Sequence, residues 1–166
     1  MGAALKTRAY YTTIAEDELT QAGVLEPPVP IERIIELRGI PILPVNLPNF
    51  FTAATINSDG LPVMVVNYVQ PEHVRRAALA HMLSHVLLVL DDPADPFPRD
   101  TRDHSAANVL AHELTMPSTM VLDQSRLWFN DFRYLARLFG VGEGEMLERM
   151  RELGIIGDQQ GIRWDY

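Results

Sequence analysis

Two of the five histidines, His81 and His85, are spaced to act together. Residues four apart lie on one face of a helix, so both imidazoles can address the same point. In the H-E-x-x-H motif of zinc peptidases such a pair holds the metal and the intervening glutamate activates water. Here the stretch is His81-Met82-Leu83-Ser84-His85, with a thioether where that motif carries its carboxylate. Two readings of the pair stand side by side: metal ligands, or neutral core histidines each hydrogen-bonded to backbone or a neighbour. A third donor favours the first reading. His104, Asn108 and His112 recur at i, i+4 and i+8 and share a helical face. Where a zinc site takes two histidines from one helix, its third ligand commonly comes from a following one. His104 is the first candidate, with Asn108 as a partner that orients an imidazole; Asp103 and His112 are the fallbacks.

Several elements must position these groups. An apolar stripe of Tyr10, Ile14, Leu19 and Ala22 predicts a helix over 9–23, stopped by Gly23. Pro27-Pro28-Val29-Pro30 makes a rigid elbow, and Pro30 suits the start of a second helix reaching Arg38, before Gly39. Ile40-Pro41-Ile42-Leu43-Pro44-Val45 is β-rich but broken by prolines, which places it on a sheet edge. Strands over 50–56 and 61–68 flank Asn57-Ser58-Asp59-Gly60, a strong hairpin signal. The histidine helix starts near Pro71 and Glu72 and runs to about Leu90. Residues 91–103, rich in proline and aspartate, read as a loop. A helix over 104–113 follows, then a short element over 120–129, and two helical patterns over 131–139 and 143–153. Trp128, Phe129 and Phe132 are expected to close the core. The fold class is α+β: mainly helical, with a small antiparallel sheet and a helix-turn-helix-like pair at the end.

Composition sets outer limits. The chain has 166 residues, 47% hydrophobic and 22% charged, enough to bury a core as one domain. A formal charge of −8 opposes non-specific attraction to nucleic acid. The absence of cysteine removes disulfides and cysteine-ligated zinc, and it fits a reducing cytoplasm. No signal peptide is visible, and the longest apolar run falls far short of a membrane helix. A cytoplasmic protein without membrane contact is expected.

Two helical stretches also carry a family resemblance. Arg76-Ala77-Ala78-Leu79-Ala80-His81-Met82-Leu83-Ser84-His85-Val86-Leu87-Leu88 resembles the R-x-F-T-x-A-H-E-x-G-H-x-L-L segment of the ImmA/IrrE metallopeptidases. Ala107-Asn108-Val109-Leu110-Ala111-His112-Glu113-Leu114-Thr115-Met116-Pro117 is similar to that family's A-N-x-F-A-A-E-L-L-M-P. The Pro27–Ile31 elbow, the hairpin ending at Val66-Asn67 and Leu135-Ala136-Arg137-Leu138-Phe139-Gly140-Val141 match in the same order, so the likeness spans about residues 10–156.

The resemblance implies a zincin-like minimal peptidase fold, with a core over 9–125, a helical pair over 126–156 and a tail over 157–166. It implies a soluble zinc protease of bacteria or phages that cuts or inactivates helix-turn-helix repressors, in stress responses or mobile-element induction. Its zinc histidines fall on His81 and His85, its third ligand, a glutamate, on His104, and its general base on Met82. Histidine for glutamate keeps a ligand and gives a three-imidazole zinc site. Methionine for glutamate removes the proton acceptor, since a thioether has no useful basicity. General-base help is worth about 10²–10⁴ in rate. His73, Tyr68 and Glu113 are the remaining groups of suitable chemistry. The expectation is a catalytically impaired relative, a pseudoenzyme that binds a partner such as a helix-turn-helix transcriptional repressor. The alternative is an active metal-dependent hydrolase with a rebuilt His81, His85 and His104 site. Direct DNA binding by the last two helices is a third reading. It is opposed by Asp131, Glu143, Glu145, Glu148 and Glu152 against four arginines, with acids at the start of the would-be recognition helix.

Overall fold

Periodicity and punctuation determine the first half of the chain. The computed structural model describes residues 5–48, 50–94 and 104–157. Helix α1, Arg8–Gln21, buries Tyr11, Ile14, Ala15, Glu18 and Leu19, the i, i+3, i+4 stripe of a one-sided helix. It ends where Gly23 turns left-handed (φ 68°) and the Val24 amide donates back to the Leu19 carbonyl at 2.9 Å. Helix α2, Ile31–Leu37, starts after Pro30 and buries Ile31, Ile34 and Ile35.

Three short strands follow: β1, Ile42–Val45; β2, Ala53–Ser58; and β3, Leu61–Asn67. The β2–β3 hairpin pairs Ser58 with Leu61 across Asp59 and Gly60, both at positive φ, and the Asn57 side chain accepts from the Gly60 amide at 2.8 Å. The strand order is β1-β3-β2, so the proline-broken strand is at an edge as its sequence predicts. It runs parallel to β3, however, pairing Ile42 with Met64 and Val45 with Asn67. The sheet is therefore mixed, a correction to the purely antiparallel sheet expected. The reason is Asn67, fully buried, whose amide donates to the carbonyls of Leu47, Pro48 and Phe51 and accepts from the Leu47 amide at 3.1 Å. That network folds the connection after β1 back across the end of β3, which lets β1 arrive parallel.

Helix α3, Glu72–Asp91, packs against α2, against β2 and β3, and against helix α4, Ser105–Thr115. These elements and α1 share one hydrophobic cluster. A second cluster joins Met116 to helices α5 (Ser118–Leu127), α6 (Phe132–Phe139) and α7 (Glu143–Glu152). Two buried arginines tie the clusters together. Arg76 on α3 donates to the carbonyls of Val29 (2.8 Å), Phe139 (3.3 Å) and Gly140 (3.2 Å), so it ties the elbow to the α6–α7 turn. Arg149 on α7 reaches Glu113 on α4 at 2.6 Å and the Met116 carbonyl at 3.0 Å. Trp128 and Phe129 are 43% and 94% exposed, contrary to the expectation that they close the core; Phe132 packs against the second cluster. Phe129 and Asn130 adopt positive φ to leave α5, and that turn carries the aromatic side chains away from the packed face. Asp103 and most of the proline-rich loop lie outside the described residues, as does the tail beyond residue 157.

Candidate metal centre

The α3–α4 crossing builds the site. Buried alanines on both helices, Ala80 on α3 and Ala106, Ala107 and Ala111 on α4, allow close backbone approach. The crossing brings the N-cap residue of α4, His104, over the α3 face that carries His81 and His85. Three ring nitrogens converge: His81 Nε2 is 3.0 Å from His104 Nδ1, His85 Nε2 is 3.0 Å from His104 Nδ1, and the Nε2 atoms of His81 and His85 are 3.2 Å apart.

This triangle has a definite chemical consequence. Each nitrogen carries either a proton or a lone pair. Among three mutual neighbours, at least one pair must therefore match, proton against proton or lone pair against lone pair. A cation near the centre removes the conflict by accepting all three lone pairs. Tetrahedral ligation at 2.0–2.1 Å puts imidazole nitrogens about 3.3–3.4 Å apart, close to the separations found here. The three residues suit a metal ion. His81 is also held in the ligating state: burial pushes its imidazole below the ordinary 6.5, the rings of His85 and His104 add to this, and a hydrogen bond it donates to Asn108 opposes it.

Sequence-derived candidates divide clearly around this centre. His81, His85 and His104 come together, and Asn108 touches His81. His112 is on the same face of α4 but further along it, with Nδ1 3.7 Å from a carboxylate oxygen of Glu152. Of the groups considered as substitute bases, none lines the cleft at the centre. His73 lies against Gly142. Tyr68 is exposed beneath the Arg75 guanidinium. Glu113 is buried with Arg149 and accepts from the Ser118 hydroxyl. The cleft is about 520 Å³, walled by β2 residues Ala53 and Ala54 and by Val86, Val89 and Leu90 of α3, with Met82 on its lining. Among the described residues, no acidic side chain lines it. Behind His81 a smaller cavity of about 160 Å³ is lined by Asn108, His112 and Glu145. Glu145 had no signal in the sequence as a neighbour of this cavity, since only the packing of α7 brings it to the lining.

Comparison with known proteins gives the family and the fold. A family model described as IrrE N-terminal-like domain, peptidase M78, matches residues 35–151. No curated protein matches the chain. Among solved structures, a Mycobacterium tuberculosis transcriptional regulator is similar, with a TM-score of 0.66, 20% identity and coverage of 93% of this chain. The chain spans 48% of that regulator's length, and the likeness at this identity is one of fold. Among the described residues, no helix is long and apolar enough to cross a membrane. With the family model spanning most of the chain and both motif helices forming its centre, this protein belongs to the IrrE N-terminal-like domain family of peptidases.

Proposed function

We propose that this protein is a regulatory, partner-binding member of its family that holds a metal ion, zinc by family resemblance, through His81, His85 and His104, and does not cleave peptide bonds. The observation that carries the reading is Met82. It sits 8% exposed on the cleft lining, at the position where the family supplies a carboxylate base, and among the described residues no acid on the lining takes its place. Bound zinc would supply Lewis acidity. The chain's own residues would hold the ion by three neutral imidazoles, with Asn108 fixing the orientation of His81. Among the described residues, no carboxylate on the lining is placed to take a proton from an attacking water.

A helix-turn-helix repressor is the partner class implied by the family, and a transcriptional regulator with this fold is consistent with a regulatory setting. Contact with DNA through α6 and α7 has little support. Glu143 and Glu145 occupy the start of α7, the Glu145 carboxylate accepts from the Gly142 amide at 3.3 Å, and Arg149 is buried. The second reading, a working hydrolase with three histidines, is favoured by the open cleft beside the nitrogen triangle. The two separate in one experiment: zinc-loaded protein is incubated with casein and with purified helix-turn-helix repressors. The expected result is intact substrate and repressor, with repressor retained on the immobilised chain. Metal-dependent fragments that disappear in His81→Ala would establish the hydrolase instead.

A further inference from the structure

A sheet with one face in water ordinarily alternates apolar and polar residues along its strands. The three-stranded sheet of this chain does not. Ile42, Ala53, Met64 and Val66 face the first hydrophobic cluster. Successive side chains point to opposite faces, so Leu43 on β1, Ile56 on β2, and Leu61, Val63 and Val65 on β3 face the other way. The register sets Leu43 beside Val65 and Ile56 beside Val63, which makes one continuous apolar surface. Leu43, Ile56 and Leu61 are 50%, 47% and 67% exposed, so among the described residues this face is open. The connection held by Asn67 carries two more exposed apolar side chains, Leu47 and Phe50. Charge is missing as well: Asp59, at the hairpin tip, is the only ionisable residue between 42 and 67 in a chain that is 22% charged. Contiguous exposed apolar patches on globular proteins mark interaction sites.

We propose that this outer sheet face is the interface of a homodimer, in which a second copy of the chain packs on it face to face about a twofold axis. Charge selects the occupant. Each chain carries a formal −8, and two copies repel least when they meet on their uncharged faces with the acidic surfaces turned apart. A twofold axis sets the same patch against itself, so an apolar face without charges is its own complement. Two twisted sheets also pack well with their strands about 30° apart. A lipid surface fits less well, because residues 42–67 hold no Lys or Arg to meet anionic headgroups and no Trp for the membrane interface. The cleft lies on the opposite side of the sheet, bounded by Thr55, Pro62 and α3, so the dimer does not cover the nitrogen triangle. The interface is therefore independent of the metal centre and of the proposed function.

The test is sedimentation velocity of the full chain from low to high micromolar concentration, with circular dichroism to confirm folding. Wild type, Ile56→Lys, Leu61→Lys and Phe129→Ser are compared. Wild type is expected to sediment as a dimer at high micromolar concentration. Both lysine variants should weaken the dimer by at least about a hundredfold, since each charge enters the interface twice and is desolvated against an apolar surface. Leu61 adjoins the hairpin turn, so its variant keeps the comparison available if Ile56→Lys fails to fold. Phe129→Ser alters another exposed apolar residue, on the α5–α6 turn, and should leave the dimer constant within about twofold. Raising salt from about 0.1 M to 1 M should leave the dimer intact or tighten it, because screening removes the repulsion between like-charged copies. A monomer at every concentration, dissociation at high salt, or a dimer broken by Phe129→Ser but not by the lysine variants overturns the proposal. A monomeric wild type that retains a helix-turn-helix repressor, with retention lost in Ile56→Lys, also overturns it and assigns the face to a different protein.

Discussion

At the scale of single residues, the proposed centre turns on two exchanges of opposite effect relative to the family pattern. His104 in place of a carboxylate ligand preserves the number of donors and makes the ligand set neutral. Met82 in place of a carboxylate base preserves size and removes the proton acceptor. Restoring the acid is therefore informative. Zinc-loaded Met82→Glu is expected to hydrolyse casein about 10²–10⁴ faster than the residual wild-type rate, the value of general-base help; a wild-type rate equal to the variant's would contradict the role given to Met82. His81 supplies a pH signature. Its imidazole is held below 6.5 in the folded chain, mainly by burial. The unfolded chain therefore binds this proton more readily, and stability falls as pH drops from 6.5 toward the lowered folded value. Thermal melts of metal-free protein above and below that window should show the acid loss, and His81→Gln should flatten it. Bound metal competes with the same proton, so affinity weakens in the same direction.

At the scale of elements, the helices were legible in the sequence because their apolar residues repeat at helical spacing and glycines mark their ends. The choice among His104, Asp103 and His112 was not, because a shared helical face does not say which end of α4 meets α3. The crossing brings His104 rather than His112 to the pair, through alanines that carry no chemical signal of their own, while Asp103 lies outside the described residues. Likewise the parallel pairing of β1 depends on the buried Asn67 side chain, invisible to strand alternation. The exposure of Trp128 and Phe129 follows from backbone turns that hydrophobicity does not report. Two end-of-helix features can be tested by stability. Asp131 caps α6, its carboxylate accepting from the Arg133 and Tyr134 amides, so Asp131→Ala should cost about 1 kcal/mol in urea unfolding. Gly140 combines φ 66° with a site where a Cβ would lie 3.1 Å from Arg76 Nε. Gly140→Ala should cost about 1–2 kcal/mol from the left-handed backbone alone, with additional loss if Arg76 is displaced from its carbonyls.

At the scale of the whole molecule, the family fold is kept, and in the proposed function its chemistry is altered. The candidate metal centre lies between α3 and α4 beside the first cluster, and the C-terminal helices are fastened to that cluster through buried polar groups. Glu113 and Arg149 are each 1% exposed, and Arg149 also bonds the Ser118 hydroxyl and the Glu152 carboxylate. Such a pair is costly to break because the surviving charge stays buried. Glu113→Gln is expected to destabilise the protein by about 3 kcal/mol, the low end for a broken buried pair, since Glu152 still faces the guanidinium. The most direct measurement of the central claim is zinc content after loading and desalting, for wild type and His104→Ala at neutral pH. Wild type should retain about one ion per chain, as three imidazoles form a sufficient protein ligand set for zinc, and the variant should lose nearly all of it. Equal retention in both, or none in wild type, would contradict a metal centre built from His81, His85 and His104.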